Sequence, residues 1–270
     1  MRRTPIVLLC GLLALAPLTG CNRVRGRVEL KKGNKLYKEE SYKEALAQFQ
    51  RGLQLDPSAK RAWRSVALTG MALYKPGVDT AENNKYVDLT IEALQKYLAA
   101  YPEDTNAEDY MVAMWVNADR YDKAIEFLKK QRIEHPGEAK IEQGLINVMV
   151  KANRYDEALQ WINNNARKNA KLYYLIETNA WGRSYNDPTV SYEDRMKIVD
   201  MGLDAGKRAV DAKPDYMEAM VYINLLYREK VKLSLDPKEK EQFTKMADEW
   251  RQKALDLREK QKKAPKPAGA

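Results

Sequence analysis

The chain has 270 residues, 44% hydrophobic and 31% charged, with a formal net charge of +9, thirteen glycines, two cysteines and one histidine. So few cysteines exclude a disulfide-dense scaffold, and a low glycine content beside abundant Lys, Glu, Ala and Leu favours helices. The basic excess is spread along the chain and reads as solvated helix faces with an attraction for acidic partners.

Met1-Arg2-Arg3 is a basic start, followed by an apolar run from Ile6 to Leu18 that is broken by Gly11 and Pro17. The run is too short for a membrane span and reads as a secretory signal over residues 1–20. Leu18-Thr19-Gly20-Cys21 resembles the lipobox of bacterial lipoproteins. The resemblance implies cleavage before Cys21 and acylation of its thiol, with residues 21–25 as lipidated terminus and tether. Two or three acyl chains make such an anchor effectively permanent, each buried methylene contributing about 0.8 kcal/mol. Asn22 stands where an aspartate would resemble an inner-membrane retention signal, so the expected location is the outer membrane, with the body facing the periplasm. Cys10 leaves with the signal and Cys21 is acylated, so no disulfide and no cysteine-bound metal is expected. The signal also carries away two arginines and no acids, which leaves +7. Export places the body away from nucleic acid.

The body from 26 to 263 is periodic. Arg120-Tyr121-Asp122-Lys123-Ala124-Ile125 returns 34 residues later as Arg154-Tyr155-Asp156-Glu157-Ala158-Leu159. Tyr42-Lys43-Glu44-Ala45-Leu46 is a third copy, with Tyr42 lying 79 residues before Tyr121, two periods and an insertion. The closing prolines agree: Pro102 and Pro136 are 34 apart, Pro57 precedes Pro102 by 45, and Pro214 follows Pro136 by 78. Such a period marks units that bury their apolar faces only against neighbours.

In chain order, unit one runs from about Gly26 to Ala59, with Leu46, Phe49 and Leu53 at helical spacing and Asp56-Pro57 as the stop. Unit two runs from Trp63 to Pro102, with an insertion near 75–84 whose Pro76-Gly77 and Asp79-Thr80 predict a turn and a helix start. Units three (Thr105 to Pro136) and four (Glu138 to Ala170) follow directly. Unit five, from Lys171 to Pro214, holds a second insertion near 183–192 containing Asn186-Asp187-Pro188, and unit six starts at Asp215 and breaks at Asp236-Pro237. A final helix places Phe243, Met246, Ala247, Trp250, Ala254 and Leu257 on one stripe and Lys240, Glu241, Arg251 and Glu259 elsewhere, as a terminal cap requires. Residues 264–270, with Pro265 and Pro267, read as a disordered tail.

Gly33, Leu36, Tyr42, Ala45, Phe49, Leu53 and Pro57 together resemble the tetratricopeptide repeat, a 34-residue helix-turn-helix. Gly33 and Ala45 are small where paired helices approach, and Ala124 and Ala158 hold the same place in later units. The match weakens in unit five, where Gly202 and Gly206 replace the expected alanine and aromatic. The resemblance implies an all-α fold, a right-handed α-solenoid of about six units with a C-terminal capping helix.

Catalytic chemistry is not expected. His135 precedes Pro136 at a helix end, carboxylates such as Glu39-Glu40 and Glu103-Asp104 fall in turns where they would be solvated, and no phosphate loop occurs. No cofactor, metal or small-molecule substrate is implied. The family's groove, lined by the first helix of each unit, maps onto Asn34, Tyr37 and Lys38, then Arg61, Arg64 and Leu68. It continues through Asn106, Asp109, Ala113 and Asn117 to Lys140, Gln143, Asn147 and Lys151. Its basic N-terminal half suits acidic peptide segments. A sub-type that clamps terminal carboxylates is matched at Asn34 but not at Leu30 or Ser65. Tyr173-Tyr174 and Trp181 read as repeat packing, with a minority of such rings serving as anchors. The expectation is a lipid-anchored scaffold that binds envelope proteins in machinery assembly. Its rivals are an adaptor of a cell-wall enzyme and an envelope enzyme hidden in a divergent solenoid.

Overall fold

The computed structural model describes residues 17–263, with side chains from Cys21 onward. The signal segment up to residue 16 and the expected tail 264–270 lie outside the described residues. Among the described residues there are twelve α-helices and no strand, as the all-α reading expects. None of these helices is long and apolar enough to cross a membrane. The chain divides into two compact units, one ending at Arg120 and one starting at Tyr121.

The first unit contains α1 (Pro17–Lys38), α2 (Tyr42–Leu55), α3 (Ala62–Leu73), α4 (Ala81–Leu98) and α5 (Thr105–Asn117). Helices α1/α2 and α3/α4 form packed pairs. The α2 stripe of Ala45, Phe49, Gly52 and Leu53 is buried, at the spacing that puts four residues on one face. Glycine lets α1 come close: a Cβ on Gly33 would lie 2.7 Å from the Phe49 ring, and one on Gly26 would lie 2.9 Å from the Gly52 carbonyl oxygen. The first insertion is a stapled loop. The buried Asn83 side chain accepts from the Lys75 N–H at 2.8 Å and donates to the carbonyls of Lys75 and Val78, while Thr80 caps α4 by accepting from the Asn83 N–H. The helix start expected at Asp79-Thr80 is therefore present.

The second unit contains α6 (Tyr121–Glu134), α7 (Ala139–Lys151), α8 (Tyr155–Asn165), α9 (Ala170–Asn186), α10 (Tyr192–Ala212), α11 (Met217–Leu233) and α12 (Pro237–Lys263). Ala124 and Ala158 are fully buried, as the repeat frame requires. The second insertion is shorter than its sequence span, because α9 continues through Asn186. Ser191 caps α10, and Arg195 donates to the carbonyls of Ser184 and Asp187. Helix α12 buries Ala247 and Ala254 and lays Phe243, Met246 and Trp250 on a cluster of Val199, Leu203, Ile223, Leu226 and Tyr227. Its charged faces are exposed, in keeping with a terminal cap.

The copies quoted from sequence share a turn. Glu40, Asp119 and Asn153 have φ of 60°, 55° and 61°, and the next residue's N–H donates to the carbonyl five back: Ser41 to Leu36 (2.9 Å), Arg120 to Trp115 (2.8 Å) and Arg154 to Met149 (2.9 Å). This is a Schellman closure, in which one left-handed residue satisfies the last carbonyls of the first helix. Glutamate is poorly suited to that conformation. Glu40→Gly is expected to raise the unfolding free energy by about 0.5–1 kcal/mol in urea titration, whereas a loss would deny the left-handed turn.

Candidate functional site

The groove residues expected in the first unit lie on α1, α3 and α5, and the structure brings part of the set together. Tyr37 is half-buried, packs edge-on against Tyr42 at 5.3 Å, and is close enough to Tyr110 of α5 for the two rings to raise each other's cost of ionisation. Arg64 joins them, its guanidinium 5.9 Å from the Tyr110 ring centre and its Nε 4.0 Å from Asp104 Oδ2. Asp104 corrects the expectation of a solvated turn acid. It is half-buried, caps α5 through the Ala107 N–H, and accepts from the Tyr97 hydroxyl at 2.8 Å, which holds its carboxyl below the usual range. Arg64 is thus not a free cation. Arg61 is exposed, with its guanidinium 5.7 Å from the Tyr101 ring centre.

Asn34, Lys38, Asn106, Asp109, Ala113 and Asn117 are exposed and Leu68 is half-buried. Cys21 is exposed on α1. In the second unit, Lys140, Gln143 and Lys151 are exposed on α7 and Asn147 is half-buried. Lys151 faces a cleft whose other wall is α9, lined by Tyr155, Thr178, Asn179, Gly182 and Arg183. Arg183 Nε is buried there without a hydrogen-bond partner.

Residues 116–174 match the family model described as Tetratricopeptide repeat. This stretch is tetratricopeptide repeat. It contains both sequence copies and both left-handed turns of the 34-residue frame, and the Glu40 turn has the same closure. A comparison with curated proteins gives no match. Among solved structures the chain is similar to a MamA labelled MSR-1, at 15% identity, 88% of this chain, 99% of that chain and a TM-score of 0.35. It is also similar to YrrB, titled a TPR protein with an unusual peptide-binding site, at 17% identity, 71% and 88% coverage and a TM-score of 0.37. A third is MamA from Desulfovibrio magneticus RS-1, at 15% identity, 87% and 96% coverage and a TM-score of 0.33.

Beyond the matched tetratricopeptide stretch, α9 and α11 carry a feature that the repeat frame did not single out. Five rings touch in series: Tyr216 to Tyr174 at 5.0 Å, Tyr174 to Tyr222 at 5.7 Å, Tyr222 to Trp181 at 5.5 Å, and Trp181 stacked on Tyr185 at 5.2 Å. Burial and the neighbouring rings push the Tyr174 hydroxyl up to about 12. The seven- and eleven-residue spacings of Tyr174, Trp181 and Tyr185 were legible as one helix stripe, but the ring contribution from α11 was not. Glu177 of α9 is fully buried, neither carboxyl oxygen has a hydrogen-bond partner, and burial pushes it up to about 9. Among the described residues no group of three His, Cys, Asp or Glu is placed to hold a metal.

Proposed function

We propose that this protein is a lipid-anchored scaffold of the bacterial cell envelope, tethered through Cys21 to the outer membrane and binding protein segments on the first-helix faces of its tetratricopeptide-like pairs. The observation that carries the reading is the surface of α1, α3 and α5. There Tyr37, Arg61, Arg64 and Tyr110 present rings and cations at half-exposed positions outside the helix-pair core. Rings and arginines of this kind are the usual anchors of protein contacts. Lys38 and Arg61 favour acidic segments, and assembly of envelope machinery is the role this arrangement serves best.

One experiment tests anchor and surface together. Cells expressing the chain are fed a clickable fatty acid, and the protein is captured from envelope extracts with its partners. The wild-type chain is expected to carry the label and Cys21→Ser to lose it. Lys38→Glu with Arg61→Glu is expected to lower partner recovery severalfold with unchanged helix content, and recovery should fall with salt. Arg64 stays intact, because its pair with Asp104 supports the α5 cap. An unlabelled wild-type chain would overturn the anchor, and undiminished recovery would overturn the basic surface.

A further inference from the structure

We propose that the aromatic strip of α9 and α11 is a docking groove for an extended, proline-rich protein segment carrying an acidic residue, whose carboxylate sits in the adjoining cleft between Arg183 and Lys151. This rests on the protein-binding reading above and names a partner class for a different part of the molecule.

The rings are not consumed by the core. Tyr185 is 56% exposed, and Tyr174, Trp181, Tyr216 and Tyr222 are half-buried, each leaving an edge or face to solvent. From Tyr174 to Tyr185 the strip runs eleven residues along α9, about 16 Å at 1.5 Å per residue. That accommodates about five residues of polyproline II at 3.1 Å each. The helical walls have their backbone groups bonded internally, so they offer no strand edge for a partner to pair with. A segment docking here must therefore keep its own amides satisfied by water. Polyproline II does so, and its proline rings fit the slots between edge-to-face aromatics.

Charge supplies the second element of recognition. Gly182 and Arg183 follow Trp181 directly on α9, so the cleft adjoins the strip. Its lining holds two cations and no acid. The guanidinium lies beside the Tyr155 hydroxyl, and its buried Nε has no acceptor, the nearest carboxylate, Asp187, being 4.0 Å away. That distance is beyond hydrogen-bond range. A cation at this depth with an unfilled donor fits a partner carboxylate. A Cβ on Gly182 would meet nothing within 4 Å, which leaves the mouth of the cleft open.

The test uses the full chain immobilised in detergent. The probe is a mixture of heptapeptides with proline or leucine at the five central positions and glutamate at one end, set against the same mixture with lysine in place of glutamate. Wild type is expected to enrich the glutamate peptides at least tenfold over the lysine peptides. Trp181→Ala is expected to cut that capture about tenfold. Because Trp181 also packs on the core beneath it, Tyr185→Ser serves as a second variant at an exposed position, with a severalfold loss expected. Arg183→Gln should remove the preference for glutamate while central proline is still selected. Equal capture by wild type and both ring variants overturns the proposal, as does indifference to the end charge. A self-associated wild-type chain that the ring variants dissociate, with no peptide captured, would make the strip a contact between copies and also overturn it. The scaffold reading is judged separately, by fatty-acid label and by partner recovery with Lys38 and Arg61 reversed.

Discussion

Replacing Glu177 with methionine is expected to raise the melting temperature by about 10 °C at pH 8 and by much less at pH 5. The carboxyl lies in a notch where α10 has Gly206: a Cβ there would fall 2.2 Å from Glu177 Oε1 and 2.7 Å from Ile223 of α11. Tyr174 and Tyr216 are the ionisable neighbours from α9 and the start of α11. Neither donates a hydrogen bond to the carboxyl, so burial alone raises it from 4.5 to about 9. A pKa raised on folding means that the native state holds the proton more tightly than the unfolded chain. The contribution of this group is fully present below the unfolded value and falls as pH climbs towards the folded one. Across that window the slope is about 1.4 kcal/mol per pH unit, or about 4 kcal/mol between pH 5 and 8. At about 2–4 °C per kcal/mol for a chain of this size, the shift is readily measured. Methionine, close in length and unbranched, removes the slope and also spares a neutral carboxyl without a partner. Equal gains at the two pH values would mean that Glu177 is ionised or solvated in the native protein.

Gly202→Ala is expected to destabilise by about 2 kcal/mol, although alanine is favoured over glycine in helix interiors by about 1 kcal/mol. The added Cβ would lie 2.6 Å from the Cβ of Ala180 and 3.1 Å from Leu226, and neither backbone-bound carbon can rotate away. Helices α9 and α10 would have to separate. Ala180→Gly clears the contact, so a double-mutant cycle in urea should return a coupling of about 1–3 kcal/mol between the two positions. Additive effects would place α10 elsewhere on α9.

The candidate sites were legible in uneven measure. Lys38, Arg61 and Lys151 could be placed on first helices by counting 34 residues, and they are exposed there. Arg64 was counted as a free groove cation, and Asp104 as a turn residue. Their approach to 4.0 Å joins α3 to the start of α5, a contact between separate elements that a periodic pattern does not encode. The five-ring strip escaped for the same reason: Tyr216 and Tyr222 read as ordinary repeat aromatics until α11 lies beside α9. Unit five looked weakest in sequence because glycines stand where an alanine and an aromatic belong. In the structure Gly202 receives Ala180, and Gly206 receives Glu177.

What the sequence determined by itself was the local grammar: the 34-residue frame, the all-α class, the small residues at Gly33, Ala45, Ala124 and Ala158, and the proline stops. Each depends on interactions within one helix or one turn, whose spacing is written along the chain. Only the tertiary structure decided which cations are already paired, which rings join into one strip, and that a carboxyl is buried without a partner at Glu177. Those outcomes depend on side chains from different helices competing for the same few ångströms, and the energy of a charge or ring is set by whatever surrounds it after packing.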